Sequence, residues 1–224
     1  MNSFWTVLGG WALSPSILSD IFGDSSKYID INRHISPVIK NTELIPDWKD
    51  HFLDLISRDF KRPFYLAGWS TGAIIAAALA PIIKPDALVL FSPTRSFCRR
   101  QSFSYGMRPS ILHTMINALE SDKETVLQQF FSNCGADQFS REEDYSIEEL
   151  QKGLFFLSQV HLFEHLRINC PIFCFHGTED KIIPVDAGRD FCKQIGGSMN
   201  EFSGSHSFFQ KAKNEILNIL SKYL

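Results

Sequence analysis

Three side chains of this sequence have the types and the order that nucleophilic catalysis needs. The first is Ser70, in the pattern Gly68-Trp69-Ser70-Thr71-Gly72. The apolar run Phe64-Tyr65-Leu66-Ala67 precedes it, and the small-residue run Ala73-Ile74-Ile75-Ala76-Ala77-Ala78-Leu79-Ala80 follows. A strand, a sharp turn and a helix form the setting in which G-x-S-x-G lifts a serine hydroxyl above a sheet edge on strained backbone. The two glycines are expected because side chains there would collide with the neighbouring strand and helix. The five-residue pattern alone also arises by chance, so its weight comes from the flanking strand and helix.

A serine hydroxyl is a weak nucleophile at neutral pH and needs a base, which in turn needs an orienting carboxylate. Both occur downstream. His176-Gly177-Thr178-Glu179-Asp180 continues an apolar run and puts Asp180 in a loop after a strand, with Glu179 as its neighbouring competitor. Gly204-Ser205-His206-Ser207 lies between the last predicted strand and the last predicted helix, so His206 is the expected base. The order Ser, Asp, His is one in which such triads occur. The other six histidines, His34, His51, His113, His161, His165 and His176, stand in less suitable contexts. His161 and His165 mimic a metal pair in spacing but lack a third ligand, so no metal or other cofactor is expected. The oxyanion of an acyl-transfer intermediate needs backbone donors. The expected ones are the N–H of Thr71, at a helix start, and the N–H of Trp11, in the loop Gly9-Gly10-Trp11 after the first strand.

These groups must meet on one sheet edge, and the hydrophobic pattern supplies such a sheet. Strands are predicted at 4–8, 27–31, 64–67, 86–91, 171–176 and 198–202. Helices are predicted from Ser14 to Phe22, at 46–60, from Ser70 to Leu79, at 185–195 and at 207–223. Alternating strands and helices imply an α/β fold with a mostly parallel sheet covered on both faces. Between about 95 and 166 the alternation stops, and three helices are predicted at 109–120, 122–132 and 146–160. We therefore expect an α/β core of residues 1–94 and 167–224 with a helical lid of residues 95–166 over the sheet edge where open α/β sheets bind ligands.

Composition narrows the class. The chain has 224 residues, enough for a large single core, and is 44% hydrophobic and 21% charged. A net charge of -3 gives no support for nucleic-acid binding. No apolar stretch is long enough to span a membrane. The start Met1-Asn2-Ser3-Phe4-Trp5 lacks the features of an export signal. The five cysteines have no metal-ligand spacing and read as reduced core thiols. A monomeric cytoplasmic protein is the expectation.

On these residues the chain is similar to the α/β-hydrolases over nearly its whole length. More narrowly, it resembles the pimeloyl-[acyl-carrier protein] methyl ester esterases of biotin synthesis. Gly10-Trp11, Gly68-Trp69-Ser70, Leu90-Phe91-Ser92-Pro93 running into Phe97-Cys98, and the compact helical lid carry that resemblance. It implies a serine carboxylesterase that removes a methyl ester from a pimeloyl chain on an acyl carrier protein. It also implies that the acidic carrier docks on lid arginines. Arg95, Arg99, Arg100 and Arg108, with no acid among them, form the matching cluster, although a solvated loop has the same composition. Trp69, beside the nucleophile, is expected to touch substrate.

Two features depart from that family. Gly9 replaces the usual histidine of the first oxyanion motif, and the helix predicted at 122–132 carries only Lys123 as a cation. The acidic stretch Glu142, Glu143, Asp144, Glu148 and Glu149 is expected to repel an acidic partner. A thioesterase or small-ester hydrolase with the same triad is the alternative, and a non-catalytic ligand-binding protein of this fold is a further one.

Overall fold

The computed structural model describes residues 4–56, 63–136, 144–162 and 166–223. The chain begins with strand β1 (Phe4–Leu8), a 3-10 turn at Pro15–Leu18, helix α1 (Ser19–Phe22), strand β2 (Lys27–Ile29) and helix α2 (Ile31–His34). A small antiparallel hairpin, β3 (Ile39–Lys40) and β4 (Glu43–Leu44), leads to helix α3 (Trp48–Ile56). Then come strand β5 (Phe64–Trp69), helix α4 (Thr71–Ile83) and strand β6 (Ala87–Phe91). Helices α5 (Pro109–Ser121), α6 (Lys123–Cys134) and α7 (Ile147–Gln159) separate β6 from strand β7 (Ile172–Gly177). Helix α8 (Val185–Gln194), strand β8 (Ser198–Phe202), a 3-10 turn at Phe208–Gln210 and helix α9 (Lys213–Leu220) complete the chain.

The main sheet has six strands in the order β2-β1-β5-β6-β7-β8, with every neighbouring pair parallel. Strands β5, β6 and β7 are buried along their whole length, as their continuous apolar runs require in a sheet covered on both faces. From β1 the chain first steps to one side, to β2. It then crosses to the other side and proceeds outward from β5 to β8. The order therefore reverses between β1 and β5, which is where open α/β sheets form a crevice beyond the strand ends. The loop Gly9-Gly10-Trp11 and the turn at Ser70 flank that crevice.

Close backbone approach at this point explains both glycines of the serine motif. A Cβ on Gly68 would lie 2.3 Å from the Gly72 carbonyl oxygen. A Cβ on Gly72 would lie 2.4 Å from the Leu8 carbonyl oxygen, at the end of β1. Helix α4 thus lies directly against the sheet, and its residues from Thr71 to Ala80 are all buried.

The structure refines several boundaries. Helix α4 runs past Leu79 to Ile83 with Pro81 in its last turn, and it closes on Lys84 in the left-handed conformation, whose N–H donates to Ala80 O. The segment predicted as one terminal helix is a 3-10 turn followed by a shorter α-helix. Helix α2 and the β3–β4 hairpin have no counterpart in the sequence reading, because each is too short to show a period. Residues 57–60 of the helix predicted at 46–60 lie outside the described residues.

The Gly72→Ala substitution should destabilise the protein by about 3 kcal/mol or more, at or above the upper end for overpacking, because the methyl group meets backbone that cannot move aside. Urea unfolding measures this, and a variant as stable as wild type would contradict the packing described.

Candidate active site

Ser70 occupies the turn between β5 and α4 with φ 57° and ψ -116°, a left-handed conformation unusual for a residue with a side chain. Its backbone N–H donates to Phe91 O at the end of β6 (3.0 Å), and its carbonyl accepts from Ala73 and Ile74 in the first turn of α4. Thr71 is the first residue of that helix, so its N–H has no acceptor within the helix and lies at the positive end of the helix dipole.

Asp180 follows β7 and is fully buried. Its Oδ1 accepts from the N–H groups of Ile182 (2.8 Å) and Ile183 (2.9 Å). Its Oδ2 accepts from Ser92 Oγ (2.9 Å) and from His206 Nδ1 (2.6 Å). His176 Nε2 donates to Ile183 O at 2.9 Å and stands 3.2 Å from the same Oδ2. Burial pushes the Asp180 pKa up, but the His206 and His176 imidazoles oppose it by charge and hydrogen bonding. The net effect holds the carboxyl well below the usual carboxylate range. Glu179, the alternative carboxylate, accepts from Ser203 on the exposed side of the loop.

The carboxylate selects the His206 tautomer. Nδ1 carries the proton that Asp180 accepts, which leaves the Nε2 lone pair available, and Nε2 is buried with no hydrogen-bond partner among the described residues. The histidine loop is anchored on two sides. Trp69 Nε1 donates to His206 O (3.2 Å), and Ser207 N–H donates to Cys134 O at the end of α6 (3.0 Å). The Ser70 hydroxyl makes no hydrogen bond to Nε2 in this conformation.

Ser70 and Trp11 open onto a cavity of about 490 Å³ between the sheet edge and the helical insertion. Ile111, Met115 and Ala118 of α5 line one side, and Val126, Gln129 and Phe130 of α6 line another. No charged side chain lines the cavity among the described residues. The Trp11 indole is buried, donates from Nε1 to Leu150 O (2.9 Å) and packs edge-on to Phe130 at 4.7 Å. The wall of the insertion is therefore fastened to the loop after β1.

Several residues singled out in the sequence lie elsewhere than expected. Trp69 does not face the cavity. It is 1% exposed, bonds to His206 O and packs against Phe209, because the residue before the sharp turn still points into the core. Arg95 is 3% exposed, with its guanidinium over the Phe103 ring, 3.9 Å from Asp190 and donating to Ser102 O, so it offers no surface charge. Arg100 is half-buried and donates to Ser158 O, whereas Arg99 and Arg108 are exposed. The described acids of the acidic stretch are paired: Asp144 with Lys123, Glu149 with Arg33 and Glu148 with Lys152. Glu142, Glu143 and His165 lie outside the described residues. Sequence reasoning missed Ser92 and His176 as partners of Asp180. The end of β6 at Ser92-Pro93 was the available signal for the first, and its φ of 46° shows the same strand-end strain as Ser70.

Exchanging Asp180 for Asn should leave the fold in place and reduce kcat by about 10⁴-fold, because the amide no longer selects the Nδ1–H tautomer. Stopped and steady-state ester assays measure this. A pH dependence accompanies it. A depressed carboxylate stabilises the fold fully above its unfolded pKa of about 3.9, and the stabilisation fades as pH falls toward the folded value. The stability gap between wild type and Asp180→Asn should therefore be constant near neutrality and shrink below about pH 4.

Comparison with known proteins agrees with this architecture. A family model described as serine aminopeptidase, S33 (Hydrolase_4) matches residues 38–209, more than half of the chain. The pimeloyl-[acyl-carrier protein] methyl ester esterase of Chromobacterium violaceum is 27% identical over 97% of this chain and 92% of its own length. The AB hydrolase superfamily protein YisY of Bacillus subtilis is 25% identical over 79% of this chain and 75% of its own length. The structure of an esterase from Exiguobacterium antarcticum superposes with a TM-score of 0.78 at 15% identity, covering 99% of this chain and 91% of that one. With its parallel sheet, its Ser70 turn at the strand-order reversal and this family match, the chain belongs to the serine aminopeptidase (S33) family of α/β-hydrolases.

Proposed function

We propose that this hydrolase is a serine carboxylesterase whose substrate is the methyl ester of a pimeloyl chain carried on an acyl carrier protein. The observation that carries this reading is the uncharged, largely apolar cavity that meets Ser70. An aminopeptidase must hold the ammonium group of a peptide terminus, and burying that charge without a carboxylate is costly. No carboxylate lines the cavity among the described residues. A methylene chain capped by a neutral methyl ester matches such walls. The 27% identical relative named for this reaction supports the substrate choice.

In the reaction, His206 Nε2 takes the Ser70 proton as Oγ attacks the ester carbonyl, and Asp180 stabilises the resulting imidazolium. The N–H groups of Thr71 and Trp11 receive the oxyanion, a contribution of about 3–4 kcal/mol per donor. The tetrahedral intermediate collapses, and His206 returns the proton to the methoxide, which leaves as methanol. Water, activated by the same base, then hydrolyses the acyl-enzyme to the free acid. The helices between β6 and β7 act as a lid around the acyl chain. Of the four arginines in the cluster, Arg99 and Arg108 keep exposed charge for an acidic carrier. A thioesterase with the same triad would instead release the carrier thiol.

Purified protein incubated with pimeloyl methyl ester on its carrier tests the proposal, with mass spectrometry of the carrier as the readout. Loss of the methyl group with the thioester intact, absent in Ser70→Ala, is the expected result. Release of the carrier thiol would favour the thioesterase. Turnover of neither bond would remove the carrier-linked substrate from consideration.

A further inference from the structure

We infer that Asn32 is a positioning residue for the oxyanion donor at Trp11: its carboxamide clasps the backbone on both sides of that residue and fixes the direction of the Trp11 N–H. This rests on the reading of Trp11 given above. Asn32 stands at the start of α2, immediately beyond β2, and its side chain is 1% exposed. Its Oδ1 accepts from Ala12 N–H (2.9 Å), and its Nδ2 donates to Gly10 O (3.1 Å). The orientation of the amide is dictated by these partners, since a backbone N–H only donates and a carbonyl only accepts.

The Gly10 carbonyl and the Trp11 N–H belong to one planar trans peptide and so point in opposite directions. Drawing the Gly10 oxygen toward Asn32 turns the Trp11 N–H away from it. The loop is already at the nucleophile there: a Cβ on Gly10 would lie 3.4 Å from the Ser70 Cβ and 3.2 Å from the Trp69 ring. The next residue, Ala12, has φ 58°, a left-handed conformation disfavoured for any residue with a Cβ, and the bond to Asn32 Oδ1 holds it there. Glycine would relieve that strain at the cost of a looser loop.

Asn32 is itself fixed. Its N–H and its Nδ2 both donate to Asp30 Oδ1, at 3.0 and 2.9 Å. Asp30 Oδ2 accepts from the hydroxyl of Tyr145, which is buried just before α7. The clasp therefore runs from the loop after β1, through the end of β2, into the helical insertion. A buried asparagine that was only satisfying its own hydrogen bonds would support stability alone. A clasp on the donor peptide must also govern transition-state stabilisation.

The test uses Asn32→Ala and Asn32→Ser in the full chain, with p-nitrophenyl ester turnover and inhibition by an alkyl trifluoromethyl ketone, which forms an oxyanion on the serine. Asn32→Ser is too short to bridge Gly10 and Ala12 but keeps a small polar group and puts no charge beside Asp30, so it serves if Asn32→Ala fails to fold. The expected result is a kcat loss of about 10²-fold with KM within about twofold of wild type, and a parallel loss of ketone affinity. Wild-type kcat in either folded variant, or a kcat loss with ketone affinity unchanged, would overturn the role of Asn32. A wild type that cleaves no ester would instead sink the esterase reading itself.

Discussion

The carboxylate of Asp180 is the charge around which the strand-end loops of the candidate site are built. A fully buried anion survives only where donors surround it. Here the donors come from three strand ends: Ser92 after β6, Ile182 and Ile183 in the loop after β7, and His206 after β8. Meeting the needs of one charge therefore locks together the loops that carry the site. His176 adds a further contact from within β7 and, with His206, keeps the group ionised against its burial. The orientation of His206 is thus a consequence of electrostatics that the fold must satisfy in any case.

The second constraint is backbone geometry where the strand order reverses. Ala12, Ser70 and Ser92 all adopt positive φ beyond β1, β5 and β6 respectively. Such conformations are unfavourable for residues with side chains, and they persist only where neighbouring contacts hold them. Those contacts are Asn32 for Ala12, Phe91 O for the Ser70 amide and Phe175 O for the Ser92 amide. The insertion reinforces this edge from above, through Leu150 on the Trp11 indole, Tyr145 on Asp30 and the end of α6 on Ser207. It is fastened to both the loop after β1 and the loop that carries His206, and α5 and α6 line the cavity.

Much of the fold was legible because long apolar runs flanked by turn residues leave few alternatives. The strands through Phe64, Ala87 and Ile172 fall where alternating elements place them, and the Ser70 turn is marked by glycines that steric contact explains. The placing of Asp180 and His206 beyond strand ends was legible from the runs that precede them, and the structure brings the two into contact. The tertiary partners were not. Nothing in the local sequence around Asn32 or Ser92 says that the chain will meet them from twenty or more residues away, and nothing around His176 says that it will be buried against Asp180. The arginine cluster misled for a related reason. Composition cannot distinguish a guanidinium in solvent from one folded over an aromatic ring, as Arg95 is over Phe103. Trp69 misled because adjacency to a nucleophile in sequence does not mean facing the cavity.

The proposed chemistry depends first on Ser70 being an activated nucleophile. Treatment of the native protein with an alkyl fluorophosphonate, followed by peptide mapping, tests it directly. One covalent adduct is expected, on the peptide containing Ser70, and none in protein unfolded before treatment. An unmodified native protein, or an adduct on any other serine, would contradict it.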